Sequence, residues 1–266
     1  MTATPPPSRP ARLGDLDVAA HLADPARKQS FVTPMFDIIA PRYDAFTRLF
    51  SFGMDAGWKQ EALAAVQQVV ARDGVPVRAA LDLASGTGDV ACALARAWPS
   101  ARVTALDASP RMIDAARARL LAHDRDVADR VEPVVGDMMA LPQASATMDV
   151  VTASYGIRNV PDAEASVREI ARVLRPGGVL ATIDFYRPAA TWWRVLFLWY
   201  LRTAGNVVGW LWHRDPIVYG YIAHSIDAFM SDTAFAALLE RCGLEVVSRR
   251  RYLLGGVVRH VARKRV

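Results

Sequence analysis

The stretch LDLASGTGDV, residues 81 to 90, constrains this chain more than any other. A β-rich run, Ala79 to Leu83, ends in small residues, and a helical pattern starts beyond Gly86 and Gly88. Those glycines let backbone approach a ligand, and the helix start behind them presents unpaired N–H groups. A turn of this kind needs a strand in front and a helix behind, hence a sheet built from βα units.

The rest of the chain keeps that alternation. Strand candidates after Ala79 to Leu83 are Arg102 to Leu106, Val131 to Val135, Met148 to Ala153, Val179 to Phe185, Leu244 to Ser248 and Gly256 to Ala262. Val167, Ile170, Ala171 and Leu174 form a helical stripe, and RPGG is expected to stop that helix before the next strand. Ser231 caps a second stripe of Phe235, Leu238, Leu239 and Cys242. This predicts an α/β fold with a seven-stranded, mostly parallel sheet and helices on both faces. A chain of 266 residues, 52% hydrophobic, buries enough for one domain over residues 31–266.

Two segments fall outside the alternation. Residues 31–75 precede the first strand and hold Phe36, Tyr43, Phe46, Phe50, Phe52 and Trp58, which predicts an N-terminal helical cap. Residues 189–229 follow strand five and contain TWWRVLFLWYLRTAGNVVGWLWHRDP. Arg194, Arg202, Gly205, Asn206 and Gly209 interrupt the roughly 20 apolar residues that a membrane span needs. Interleaved Trp and Arg suit an interfacial helix, the lining of an apolar pocket, or ordinary core. Residues 1–30 are proline-rich with no apolar run of signal-peptide length, and read as a disordered lead.

A net charge of +5 fits anionic lipid, nucleic acid or acidic ligands. The basic residues gather late, at Arg249 to Arg251, Arg259 and Arg263 to Arg265, without nucleic-acid motifs, so a solvated terminal strand is expected and no nucleic-acid partner. Cys92 and Cys242 sit in apolar helical patterns and make neither a disulfide framework nor a metal cluster. They fit the core of a protein in a reducing, cytoplasmic compartment.

The chemistry concentrates at strand ends. Gly86-x-Gly88-x-x-Ala91 matches a dinucleotide fingerprint, and Asp107 closes the second strand 19 residues after Gly88. An acid there accepts from ribose hydroxyls of a nicotinamide or an adenosyl cofactor, and spacing does not separate the two. GDMMALP, after strand three, places Asp137 and Met138 beside a cofactor base. SYGIRNV, residues 154 to 160, ends strand four with Arg158 and Asn159. An arginine there either meets a ligand or pairs with a nearby carboxylate.

LDLASGTGD, ALDASPRM, GDMMALP and RVLRPGG together resemble the ordered motifs of the class I S-adenosylmethionine-dependent methyltransferases. FDIIAPRYDAFTRLFSFGMDAGWK (36 to 59), SYGIRNVPD (154 to 162) and YGYIAHSI (219 to 226) narrow that to the ubiquinone/menaquinone biosynthesis C-methyltransferase family, which the chain is similar to from about Phe31 onward. The resemblance implies a Rossmann-like fold with a substrate-cap insertion, S-adenosyl-L-methionine as cofactor, and transfer to a ring carbon of a prenyl-tailed benzoquinol or naphthoquinol. It also implies peripheral membrane contact, and a homodimer or a quinone-biosynthesis complex as partners. Carried over by position, cofactor contacts fall on Asp82, Gly86, Thr87, Gly88, Asp107, Ala108, Asp137, Met138 and Ser154. The quinol is expected to face Arg158, Asn159 and Tyr43, with Arg158 as the cation that stabilises a phenolate. No metal site is implied.

The chain departs from the family pattern where Thr47 replaces an asparagine and Arg202 a proline, both in the cap. A methyltransferase for another phenolic or lipid-like acceptor is therefore the nearest alternative. A nicotinamide-dependent dehydrogenase and a catalytically silent scaffold are the readings from other classes.

Overall fold

A computed structural model describes residues 25–213 and 217–266; the lead expected over 1–24 lies outside the described residues. Seven strands form one sheet in the order β3-β2-β1-β4-β5-β7-β6. The inner strands β1 (Ala79–Leu83) and β4 (Met148–Ser154) are buried on both faces almost throughout. Such strands are written as unbroken apolar runs because helices cover both sides of a parallel sheet. β2 (Arg102–Asp107) and β3 (Val131–Val135) extend the sheet in parallel on one side, and β5 (Leu174–Phe185) on the other. β7 (Val257–Lys264) runs antiparallel between β5 and β6 (Leu244–Tyr252). The chain runs outward from β1 to β3 and then returns to β4 on the other flank of β1. Ligands bind at such a reversal point, beyond the carboxyl ends of the strands.

The cap begins earlier than residue 31. Helix α1 (Pro25–Ile39) is followed by α2 (Tyr43–Phe50) and α3 (Met54–Asp73), so Pro25 to Ser30 belong to a helix and not to the lead. Val32, Met35, Ile39 and Phe46 cluster with Met112 and Tyr221 over one end of the sheet, while α3 buries Trp58, Ala62 and Val66. Further along, α4 (Asp89–Ala97), α5 (Pro110–Ala122) and α6 (Ala163–Val173) complete the βα units. Ser109 and Asp162 cap the last two through Met112 N and through Glu164 N and Ala165 N. The insertion is α7 (Thr191–His213) packed against α8 (Ile217–Ala228). Ser231 caps α9 (Asp232–Arg241) as expected.

Three strand readings change. β5 starts at Leu174, inside the expected helix stop, with a register irregularity where it faces Met148 to Val150. β6 runs on to Tyr252 and carries Arg249 to Arg251 on the sheet edge, where Arg250 pairs with Glu61 and Arg251 with Asp232. Arg259, expected on a solvated strand, is buried and donates to Ser248 Oγ and Glu61 O.

His260, also on β7, is fully buried against the rings of Tyr186 and Phe235. Neither ring nitrogen has a hydrogen-bond partner among the described residues. Burial pulls its pKa from 6.5 to about 4. A depressed histidine contributes stability that is complete above pH 6.5 and lost as pH falls toward 4, on the order of 3 kcal/mol. Urea midpoints at pH 7 and pH 4.5 should therefore differ less in His260→Phe than in the unmodified protein. An equal drop in both would sink this account.

Candidate functional site

The turns after β1 and β4 meet at the reversal point. Ala84 and Tyr155 follow those strands with φ of 50° and 60°, unusual for residues with a Cβ. Gly156 lies so close to Ala84 that a Cβ on it would sit 2.4 Å from that of Ala84. The glycine of GIRN is required by this contact. Strain held by the fold at two adjacent strand ends marks a place built for a purpose.

Two cavities open there. The first, about 700 Å³, is lined by Gly86, Asp107, Ala108, Asp137, Met138 and Ser154, with Asn159 and Tyr43 at its side. Six of the nine expected cofactor residues thus share one wall. Gly86, at φ 53°, brings its backbone N–H to Asp107 Oδ2 at 2.8 Å, and Ser109 N reaches Oδ1 at 2.9 Å. Each carboxylate oxygen still has a lone pair for a diol. Burial holds the Asp107 pKa above the usual carboxylate value against those two donors. Asp137 accepts from Met139 N through Oδ1, and Met138 and Leu106 supply apolar walls suited to a purine.

Three expected residues do not line that cavity. Asp82 is buried beneath the loop, accepts from Thr152 Oγ1 at 2.7 Å, and is pushed by burial up to about 7. Gly88 starts α4 against Ala116. Thr87 donates to Asp44 Oδ1 at 2.7 Å, so its hydroxyl holds the cap. Asp37 does the same from α1, accepting from Ser109 Oγ at 2.6 Å. The two acids of the FD…YD motif therefore anchor the cap to the loops after β2 and β1.

The second cavity, about 650 Å³, is lined mostly by the cap, the insertion and Phe185, with Arg158, Thr47 and Asp55 among its polar groups. Phe36, Tyr43 and Tyr155 border both cavities. It adjoins an apolar groove of about 850 Å³ along α7, with which it shares Phe50, Trp58, Phe185 and Leu201.

Arg158, expected as the cation for a phenolate, lines the second cavity and is paired with a carboxylate. It is 5% exposed, and its Nη1 donates to Asp184 Oδ1 at 2.6 Å and to Tyr155 O at 2.8 Å. Burial pulls its pKa down, and the charge and hydrogen bond of Asp184 outweigh that, leaving it raised. A buried guanidinium needs such a partner because its desolvation is costly. Asn159 donates to the same Tyr155 carbonyl and accepts from Tyr221 OH at 3.1 Å. Both side chains thus fold back to hold the strained Tyr155, while Arg158 Nε stays buried without a partner among the described residues.

Sequence reasoning missed Asp184, Tyr155 and Lys28. An acid inside the apolar run ATIDF was a signal for the first. Lys28 had none: from α1 its ammonium donates to the carbonyls of Arg158 and Val160 at 2.8 and 2.7 Å, 130 residues away. Burial, and then repulsion from Arg158, lower its pKa to about 8.

The model of the ubiE/COQ5 methyltransferase family matches residues 24–264. A ubiquinone/menaquinone biosynthesis C-methyltransferase UbiE from Syntrophotalea carbinolica is 37% identical, over 85% of this chain and 90% of its own. A demethylmenaquinone methyltransferase from Desulfitobacterium hafniense is 33% identical, over 87% and 88%. Solved structures share the fold: a putative methyltransferase bound to the Trm112 activator of Haloferax volcanii has a TM-score of 0.58 at 21% identity, covering 87% of this chain and 98% of its own. A geranyl diphosphate C-methyltransferase from Streptomyces coelicolor gives 0.55 at 14%, covering 76% and 78%. The family match spans the glycine loop, the strand-four turn that meets it at the reversal point and the cap tied down by Asp37 and Asp44: this chain is a methyltransferase and belongs to the ubiE/COQ5 methyltransferase family.

Proposed function

We propose that this enzyme uses S-adenosyl-L-methionine to methylate a ring carbon of a prenyl-tailed benzoquinol or naphthoquinol. The observation that carries this reading is that two cavities of different chemistry meet at three aromatic rings, Phe36, Tyr43 and Tyr155. The first has the acids for an adenosyl diol and amine, Asp107 and Asp137, and an apolar slot beside Met138. Aromatic faces at its inner end suit a sulfonium cation. Bound there, the cofactor supplies an electrophilic methyl group.

The second cavity takes a flat ring of modest polarity, and the groove beyond it takes an apolar tail along Trp193, Leu196 and Trp199. Holding the acceptor carbon next to the methyl accounts for much of the expected acceleration. Names of the relatives, which include both quinone pathways, support the substrate class. Thr47 lines the acceptor cavity and Arg202 lies exposed on α7, so the departures from the family pattern touch acceptor fit and leave the first cavity unaltered.

The groove opens on an apolar surface. Trp192, Trp199 and Trp210 are each more than 60% exposed on α7, and Phe52 beside the groove is 72% exposed. No described helix is long and apolar enough to cross a membrane. An exposed Trp199 in the wall of the tail groove, with Trp192 and Trp210 exposed on the same helix, supports peripheral contact with a bilayer that carries the acceptor.

The test is transfer from methyl-labelled S-adenosylmethionine to a demethylmenaquinol and a demethylated benzoquinol, each in detergent and in vesicles. Labelling of either ring is expected, at a higher rate from vesicles. Labelling of a different phenol alone would favour the paralogue reading. Tight cofactor binding with no labelling of any acceptor would favour the scaffold.

A further inference from the structure

Carbon methylation of a quinol requires a place for the phenolic proton, and none of the side chains carried over from the family provides one. Arg158 is fully protonated, with its Nη1 donating to Asp184 and Tyr155, and so has no site to take up a proton. Tyr43, Tyr155 and Tyr221 are all held neutral, because burial raises each of their pKa values. Among the described residues, Asp55 is the one carboxylate that lines the acceptor cavity.

Its geometry suits an acceptor of protons. Ser51 Oγ donates to Asp55 Oδ1 at 2.8 Å and fixes the carboxylate, whose side chain is 13% exposed. Oδ2 lies 3.8 Å from Lys59 Nζ, beyond hydrogen-bond distance, because that ammonium is held by Asp89 Oδ2 at 2.7 Å. Oδ2 therefore has no hydrogen-bond donor among the described residues. The charged and titratable groups facing Asp55 are Lys59 on its own helix, Asp89 on α4, Tyr43 on α2, Tyr155 after β4, and the Arg158–Asp184 pair behind the cavity. The bland role for such a residue is an acid in the first turn of α3 that favours the helix dipole. Burial in the wall of an apolar cavity adds nothing to that role.

We propose that Asp55 is the general base of the reaction, a reading that rests on the quinol acceptor assigned above. The acceptor O–H bond breaks and its proton bonds to Asp55 Oδ2. The electron pair stays on the ring oxygen and delocalises to the ortho carbon, which forms the new C–CH₃ bond as the S–CH₃ bond breaks. That carbon then loses its hydrogen to water as the ring regains aromaticity, and Asp55 returns its proton to the ring oxygen. The net release is one proton, and no further reactant is needed.

The experiment compares the unmodified protein with Asp55→Asn and Asp55→His, using labelled S-adenosylmethionine and a short-chain demethylmenaquinol from pH 6 to 10. Calorimetry with S-adenosylhomocysteine reports cofactor affinity. Asp55→Asn should lower kcat about 10²- to 10⁴-fold at pH 7 with cofactor affinity unchanged. The deficit should close as pH approaches about 10, where a phenol ionises unaided. Asp55→His should keep substantial activity, with its acid limb moved to about 6.5. A loss that is the same at every pH, or an acid limb unmoved by histidine, overturns the assignment and leaves a helix-terminal role. If the unmodified protein labels no quinol, the acceptor reading falls and takes this assignment with it. If it labels quinol and Asp55→Asn equals it, the assignment falls alone.

Discussion

Arg158→Ala should lose both folding stability and methyl transfer, and Arg158→Met combined with Asp184→Asn should recover part of that stability while transfer stays low. The arginine and Asp184 are 6% and 1% exposed at their side chains and lie 2.6 Å apart. Removing the cation leaves a buried carboxylate without its counter-charge, which costs about 3–5 kcal/mol. Asp184 also accepts from the backbone N–H of Arg158 through Oδ2 and of Phe185 through Oδ1, so an asparagine there keeps an acceptor for one of those donors while discarding the charge. Arg158→Met with Asp184→Asn should therefore unfold in urea closer to the unmodified protein than Arg158→Ala does. Transfer should stay low in both, because the guanidinium also clamps the carbonyl of Tyr155, whose ring borders both cavities. A single variant as stable as the unmodified protein would show that the pair carries no such weight. Full activity in the double variant would show that the turn needs no clamp.

The pair also shows where a sequence stops being readable. The alternation of short apolar runs with 3.6-residue stripes gave the βα units, the cap at Ser231 and the glycine loop, because each of these is set by neighbours in the chain. Six of nine cofactor positions share a cavity wall for the same reason: each lies at a strand end or within three residues after one. Thr87 differed because its hydroxyl is claimed by Asp44 from a helix 43 residues earlier. Arg158 was open to two readings, ligand contact or carboxylate pairing, and the partner that decides it lies 26 residues on, near the end of β5. Lys28 crosses 130 residues to two backbone carbonyls, which leave no trace in side-chain pattern. Contacts between cap and sheet are set by packing, and local periodicity carries no record of them. The start of the cap was misplaced for a related reason: Pro25 to Ser30 look like an extension of the proline-rich lead, yet the apolar face that fixes α1 lies further on, at Val32, Met35 and Ile39.

Asp107→Asn should reduce affinity for S-adenosylmethionine and S-adenosylhomocysteine alike by about 100-fold or more. The carboxylate has two tasks. It accepts Gly86 N and Ser109 N, and so sets the turns on either side of the first cavity. Its remaining lone pairs are the acceptors for a ribose diol, and hydrogen bonds to a charged group contribute roughly 1.5–3 kcal/mol each. An amide keeps one oxygen for one of the two backbone donors and turns an N–H toward the other, which disturbs the loop as well as the diol. Burial raises the Asp107 pKa, and the nearby charge of Asp37 adds to that, so the charged form is already disfavoured before a ligand arrives. Affinity in the unmodified protein should accordingly fall on acidification sooner than an ordinary aspartate would dictate, and Asp107→Asn should lack that dependence. Asp37→Asn would relieve one repulsion but weaken the tie to Ser109 that holds α1 over the cavity. Its effect should appear chiefly as faster ligand release, since Val32, Thr33 and Phe36 of the same helix form the outer wall. Calorimetry of both variants between pH 5 and 8 separates the two tasks: an Asp107→Asn affinity within threefold of the unmodified protein would mean that the diol is held elsewhere, and that the first cavity binds its ligand in another orientation.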